Sequence, residues 1–146
     1  LIGRNQEYRL PTEAEWEFAC RAGTTTVFSD GKEHPNIRAI AWFEGTAKNA
    51  GEPYPHEVGR KRPNPFGLFD MHGNVYEWCE GYYQADYEAL PDIDPVALAQ
   101  PDDRLRVARG GSYLLGWARS AERLSFNFAG TAAIVGFRLV RRIPLD

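Results

Sequence analysis

Two cysteines, three histidines and a group of late arginines are the side chains of this 146-residue chain best suited to metal, nucleophilic or anion chemistry. Cys20 and Cys79 lie far apart, with no Cys-x-x-Cys pair. A structural zinc site needs about four ligands, mostly in close pairs, and the sequence offers no such set. The two thiols are open either to disulfide pairing or to burial as small hydrophobic groups. His34, His56 and His72 fall in turn-rich segments without His-x-His or His-x-x-x-His spacing, so a histidine metal triad would have to be assembled by the fold. The plainer role for these rings is exposed or structural. Arg109, Arg119, Arg123 and Arg138 sit in or beside segments that read as strands. Arg138 lies within an apolar stretch and needs a partner there, while Arg119 is open to a structural pairing or to a carboxylate ligand. Around them runs the stretch 110–128, where Tyr113, Leu115, Trp117, Phe126 and Phe128 are interleaved with Arg119 and Asn127. Mixed aromatic, apolar and polar side chains on a rigid loop make a recognition surface; the alternative is that they fill the core between short strands.

Few regular elements are available to position these groups. "YRLPTEAEWEFACRAG" carries the one strong helix pattern. Thr12 is the N-cap, Glu15 completes a capping box, Trp16 and Cys20 form an apolar stripe, and Gly23 stops the helix. Tyr8–Leu10 reads as a short strand. Residues 24–66 show turn dipeptides and no sustained period, with Ile40–Phe43 as a short strand or an anchor of the loop to the core. Val75–Cys79 follows the Gly73-Asn74 turn as a strand. Residues 86–104 form an acidic, proline-bearing connection. "LRVARGGSYL" is a strand with a Gly-Gly bulge or turn, "ARSAERLSF" is extended, and "AIVGFRLVRRI" closes the chain as a buried strand with a basic end. The sum is an α+β, loop-rich fold. Net charge is −3 and the basic residues are scattered apart from short clusters such as Arg60–Arg62, which argues against a nucleic-acid footprint. No apolar run approaches the roughly 20 residues that a membrane span requires.

"YRLPTEAEWEFACRAG", "RPNPFGLFDMHGNVYEWCEGYY", "RVARGGSY", "ARSAER" and "GFRLVRR", in this order, resemble the formylglycine-generating-enzyme, or sulfatase-modifying-factor, family from residue 8 to 142. The resemblance implies a loop-rich variant of the C-type-lectin fold. It also implies that residues 1–146 are one domain and the C-terminal part of the usual one. The early strands that family members place before the helix would then come from a preceding segment or from another chain, since an open sheet edge is costly.

The enzyme that names the family holds copper between two cysteine thiolates placed just after the Gly-Gly-Ser-Tyr turn, and soft thiolates suit Cu(I). Here that turn is followed by Leu114-Leu115-Gly116-Trp117 and Ala118-Arg119-Ser120, without cysteine. The resemblance therefore implies a scaffold without copper, and formylglycine formation is not expected. Iron-dependent sulfoxide synthases share the scaffold, but their histidines belong to a helical part that this sequence does not contain. Family members hold structural Ca²⁺ with Asn, Glu and backbone oxygens. On that pattern "GNVYEW" supplies Gly73, Asn74, Val75 and Glu77, and "NIRAIAWF" supplies Asn36 and Ile37; otherwise Asn74 caps a turn and Glu77 pairs with an arginine. The expected function is a ligand- or peptide-binding module of a larger protein, with Tyr113, Leu115, Trp117, Arg119, Phe126, Asn127 and Phe128 as the contact set. The alternatives are a diversified variable protein of a diversity-generating retroelement, which mutates this same region, and an enzyme with a non-copper site.

Overall fold

The computed structural model describes residues 7–32, 36–86, 96, 104–115, 118–129 and 132–143. Helix α1 (Glu13–Arg21) forms as its sequence demands: the Thr12 hydroxyl accepts the Glu15 amide at 3.2 Å and the Glu15 carboxylate accepts the Thr12 amide at 2.8 Å. Arg9 then clasps Glu15 through two contacts of 2.6 Å, holding its pKa below the usual carboxylate range through that side-chain bond. The left-handed turn that ends the helix begins one residue before the expected glycine, at Ala22 (φ 48°), and continues through Gly23 (φ 86°). Trp16 and Cys20, one turn apart, bury the same face.

That face packs on a four-stranded sheet in the order β6-β5-β4-β7. Strand β4 (Tyr76–Tyr82) runs antiparallel to β5 (Leu105–Arg109), and β5 runs antiparallel to β6 (Arg123–Asn127). Strand β7 (Val135–Gly136) lies parallel to β4. Trp16, Cys20, Met71, Cys79 and Val107 form the core between helix and sheet; truncating a buried ring such as Trp16 to alanine usually costs about 3–5 kcal/mol. The turn after β5 brings the backbone against Trp16, where Gly110 has φ 98° and a Cβ would sit 3.0 Å from the indole. Only glycine meets both demands.

Two small pairs complete the framework. β1 (Tyr8–Arg9) pairs antiparallel with β8 (Val140–Arg141), and β2 (Ala41–Trp42) pairs parallel with β3 (His72–Gly73). Of the stretch 40–43, expected as a short strand or an anchor of the loop, Ile40 ends the short helix α2 (Ile37–Ile40) and Ala41–Trp42 form β2. The expectation of one buried strand at the C-terminal end is corrected: 135–136 and 140–141 join different sheets, because Arg138 turns inward to Glu77 between them, and Phe137, Leu139 and Ile143 are exposed.

Candidate ligand-binding cleft

Period-two alternation gives the four-stranded sheet two chemically different faces. On the α1 face, Glu77 accepts the Trp16 indole N–H at 2.7 Å and takes both contacts of Arg138, at 2.5 and 2.7 Å. Arg109 is fully buried; it bonds Glu17, lies 3.5 Å from Glu13, and donates to the carbonyls of Ser120, Ala121 and Glu122. Arg123 grips Glu13 at 2.7 and 2.8 Å. The expectation of structural partners for Arg138 is met by Glu77 and the Phe69 carbonyl.

The opposite face is aromatic. Phe126 meets Tyr76 and Trp78 edge-on, with centroids 5.5 and 5.9 Å apart. Arg106 on the central strand β5 lies over Tyr82 of β4, 3.5 Å from the ring centroid, and 5.3 Å from the ring of Phe128 just beyond β6. A bulge between Trp78 and Tyr82, where Gly81 has φ 96°, opens this edge. The result is a cleft of about 470 Å³ walled by Leu10, Trp78, Tyr82, Arg106 and Phe128 with Gly81 and Glu80 at its side. Such a volume suits a small ligand or one to two side chains.

The residues expected to form one contact surface are distributed. Phe128 lines the cleft and Phe126 supports it from the same face. Asn127 turns away and caps the Ala129 amide at 3.0 Å. Tyr113 is corrected to an interior residue: it is 4 % exposed and its amide donates to the Asn74 carbonyl at 2.8 Å. Leu115 is exposed elsewhere, its carbonyl accepting the Glu44 amide. Arg119 pairs with Glu122 and borders a separate cleft with Arg21, Thr25 and Thr26. Trp117 lies outside the described residues. Sequence reasoning missed Trp78, Tyr82 and Arg106. The signal was alternation itself: in Leu105–Arg109, residues 106 and 109 must face opposite sides.

The calcium expectation meets occupied donors. Asn74, in a left-handed conformation (φ 67°), accepts the His56 amide at 2.9 Å and donates to the His56 carbonyl at 3.1 Å. Gly73 donates to the Gly110 carbonyl at 2.7 Å, and a Cβ there would drive into the Trp42 carbonyl. Val75 and Glu77 border the same cleft as Asn74, but both Glu77 oxygens are held by Arg138. Asn36 is exposed with no cap hydrogen bond from its side chain, and the Ile37 carbonyl accepts the Ala41 amide. Ca²⁺ wants six to eight oxygens, and the side-chain oxygens of Asn74 and Glu77 are already engaged by His56 and Arg138. Among the described residues no three His, Cys, Asp or Glu side chains converge as a metal site; His34 lies outside them.

The cysteines do not fit copper. Cys20 and Cys79 are free and buried in the core. Burial raises the Cys20 pKa to about 12 and pushes that of Cys79 up as well, whereas a soft metal needs thiolates. His72 is likewise structural. Its Nδ1–H donates to the Ala118 carbonyl at 2.8 Å, so Nε2 accepts the Ser29 hydroxyl at 2.8 Å and the Ser29 amide at 3.2 Å. The pair has the atoms of a nucleophile and a base, but both residues are 2 % exposed and beyond a substrate's reach. His56 stacks on Trp42, with centroids 3.7 Å apart and planes at 3°.

A helix on a short curled sheet, ordered loops and a cleft on the far face define a loop-rich α+β domain of the C-type-lectin kind. The chain belongs to the family of the sulfatase-modifying factor enzyme 1-like domain, whose pattern matches residues 2–143. It is 35% identical over 139 residues to the serine/threonine-protein kinase pkn1 of Chlamydia pneumoniae, covering 92% of this chain and 21% of the kinase. It is 37% identical over 115 residues to the formylglycine-generating enzyme of Streptomyces coelicolor, covering 73% and 36%. Among solved structures, PvdO from Pseudomonas aeruginosa superposes with a TM-score of 0.80 at 32% identity, covering 94% of this chain and 54% of that one. Treponema denticola variable protein 1 gives 0.77 at 33%, covering 90% and 46%. The chain thus spans from about a fifth to about half of the length of these relatives.

Proposed function

We propose that this domain is a binding module of a larger protein, and that it receives its ligand in the cleft on the aromatic face of the sheet. The cleft itself carries the reading: the rings of Trp78, Tyr82 and Phe128 and one arginine converge on a partly open hollow, while both thiols, including that of Cys79 along the cleft's lining, are buried with raised pKa values. The match to one fifth of a protein kinase supports a role as an appended recognition part. The test is an NMR titration of labelled protein with N-acetylated aromatic and aliphatic dipeptides. The Trp78 indole N–H and the Gly81 amide are expected to shift, and Trp78→Ala or Phe128→Ala to weaken binding about tenfold or more. Shifts confined to the Arg21–Arg119 cleft would overturn this assignment. Incubation with Cu(I) and a cysteine-containing peptide is expected to yield no aldehyde; an aldehyde product would overturn the non-oxidase reading.

A second reading rests on the likeness to the Treponema variable protein: that the side chains around Phe126 and Phe128 are diversified among sibling copies. Sequencing siblings tests it, and substitutions spread evenly along the chain would end it.

A further inference from the structure

Arg106 differs from the arginines of the α1 face. Arg109, Arg123 and Arg138 each donate in-plane to carboxylates and carbonyls. Arg109 and Arg123 also lie near rings, but Arg106 is flanked by Tyr82 on β4 and Phe128 just beyond β6, and among the described residues no carboxylate or carbonyl receives its N–H groups. Stacking engages the face of a guanidinium and leaves its donor edge free. That edge is a fork whose geometry matches a carboxylate through two parallel hydrogen bonds. The other charge beside the cleft, Glu80, lies 3.6 Å from Arg9, so part of its field is already answered. The apolar walls, Leu10, Trp78 and Phe128, lie beside the cation.

We infer that the cleft selects a carboxylate carried next to an aromatic or aliphatic group, with Arg106 as the residue that reads the anion. This deepens, and rests on, the assignment of the cleft as the binding site. The carboxylate lies edge-on to Arg106 while the apolar part of the ligand fills the space between Trp78 and Phe128. The same chemistry comes from a peptide C-terminus or from an aspartate beside an apolar residue. No covalent step is involved.

Three probes separate the cases: N-acetyl-phenylalanine, its neutral amide, and N-acetyl-aspartyl-phenylalaninamide. Each is titrated into labelled protein while the Trp78 indole and Arg106 Nε resonances are followed. At least one carboxylate probe is expected to saturate at a concentration roughly tenfold or more below the neutral amide, and the better of the two names the source. Arg106→Gln is expected to bring the ratio of acid to amide affinity down to about one, read against the amide titrated into the same variant. Arg106→Lys is expected to recover only part of the preference, because a point charge lacks the planar fork. Equal binding of acid and amide by the unaltered protein, or a preference that survives Arg106→Gln, overturns the inference but leaves the cleft as the site. If no probe moves the Trp78 indole up to about 10 mM, a generous ceiling for ligands this small, the cleft assignment itself falls.

Discussion

On the α1 side of β5, Arg109 is fully enclosed and answered by Glu17, Glu13 and three carbonyls; three residues earlier on the same strand, Arg106 lies among aromatic rings, with no carboxylate or carbonyl on its donor edge among the described residues. One strand thus carries the same side chain in two roles. Inside, a buried cation is tolerable because two carboxylates and three carbonyls answer it, with only its Nε unpartnered among the described residues, and it fixes how helix and sheet meet. Outside, the half-buried cation is held by ring contacts among the described residues. Carboxylate pairing, more than residue type, separates these two arginines among the described residues.

The contrast is most open to attack through stability. Arg109→Met strands Glu17 and the loop carbonyls, and is expected to cost about 3–5 kcal/mol. Arg106→Met is expected to change stability by no more than about 1 kcal/mol. Urea melts of the two variants check this, and equal losses would erase the distinction between the faces. A smaller effect comes from pH. Burial lowers the pKa of His72 below its ordinary 6.5, although the Ala118 carbonyl and Asp30 pull the other way. The unfolded chain then binds a proton that the folded one resists. His72 accordingly contributes stability that is whole above pH 6.5 and is lost as pH falls from there toward the lower folded value. The midpoint of urea unfolding should drop over that window, and His72→Gln should flatten the slope. The smallest expected effect is none at all: with Asn74 and Glu77 engaged by His56 and Arg138, millimolar Ca²⁺ should leave Tm unchanged. An ion present at a hundred times its Kd adds about 2.7 kcal/mol, so a Tm rise abolished by Glu77→Gln would mean that Arg138 yields its place.

Local chemistry made parts of this molecule readable in advance. The capping box of Thr12 and Glu15, the Trp16–Cys20 stripe and the Gly-Gly turn each depend on residues within a few positions of one another, and each forms as expected. The need of Arg138 for a partner was legible; the identity of that partner, Glu77, was not, because it lies 61 positions away. The contact set around 113–128 was read as one surface because its residues are close in sequence. The turn after β5 sends Tyr113 inward and Arg119 to another side, while β6 returns Phe126 and Phe128 to the aromatic face. The cleft escaped notice because its walls come from four separated segments, brought together by strand pairing and by the bridge between Thr12 and Glu80.

The clasp between β1 and β8 has a mechanical consequence. Tyr8 pairs with Arg141 and Arg9 with Val140, and the Arg142 amide reaches the Glu7 carbonyl at 3.0 Å. Glu7 and Arg142 therefore leave the body side by side, from the same end of an antiparallel pair. Tension applied across these two points loads its hydrogen bonds one after another, so the clasp peels rather than shears. Leu10, which walls the cleft, directly follows β1, so tension that peels the clasp reaches the cleft at that wall while its other walls hang on the deeper four-stranded ladder.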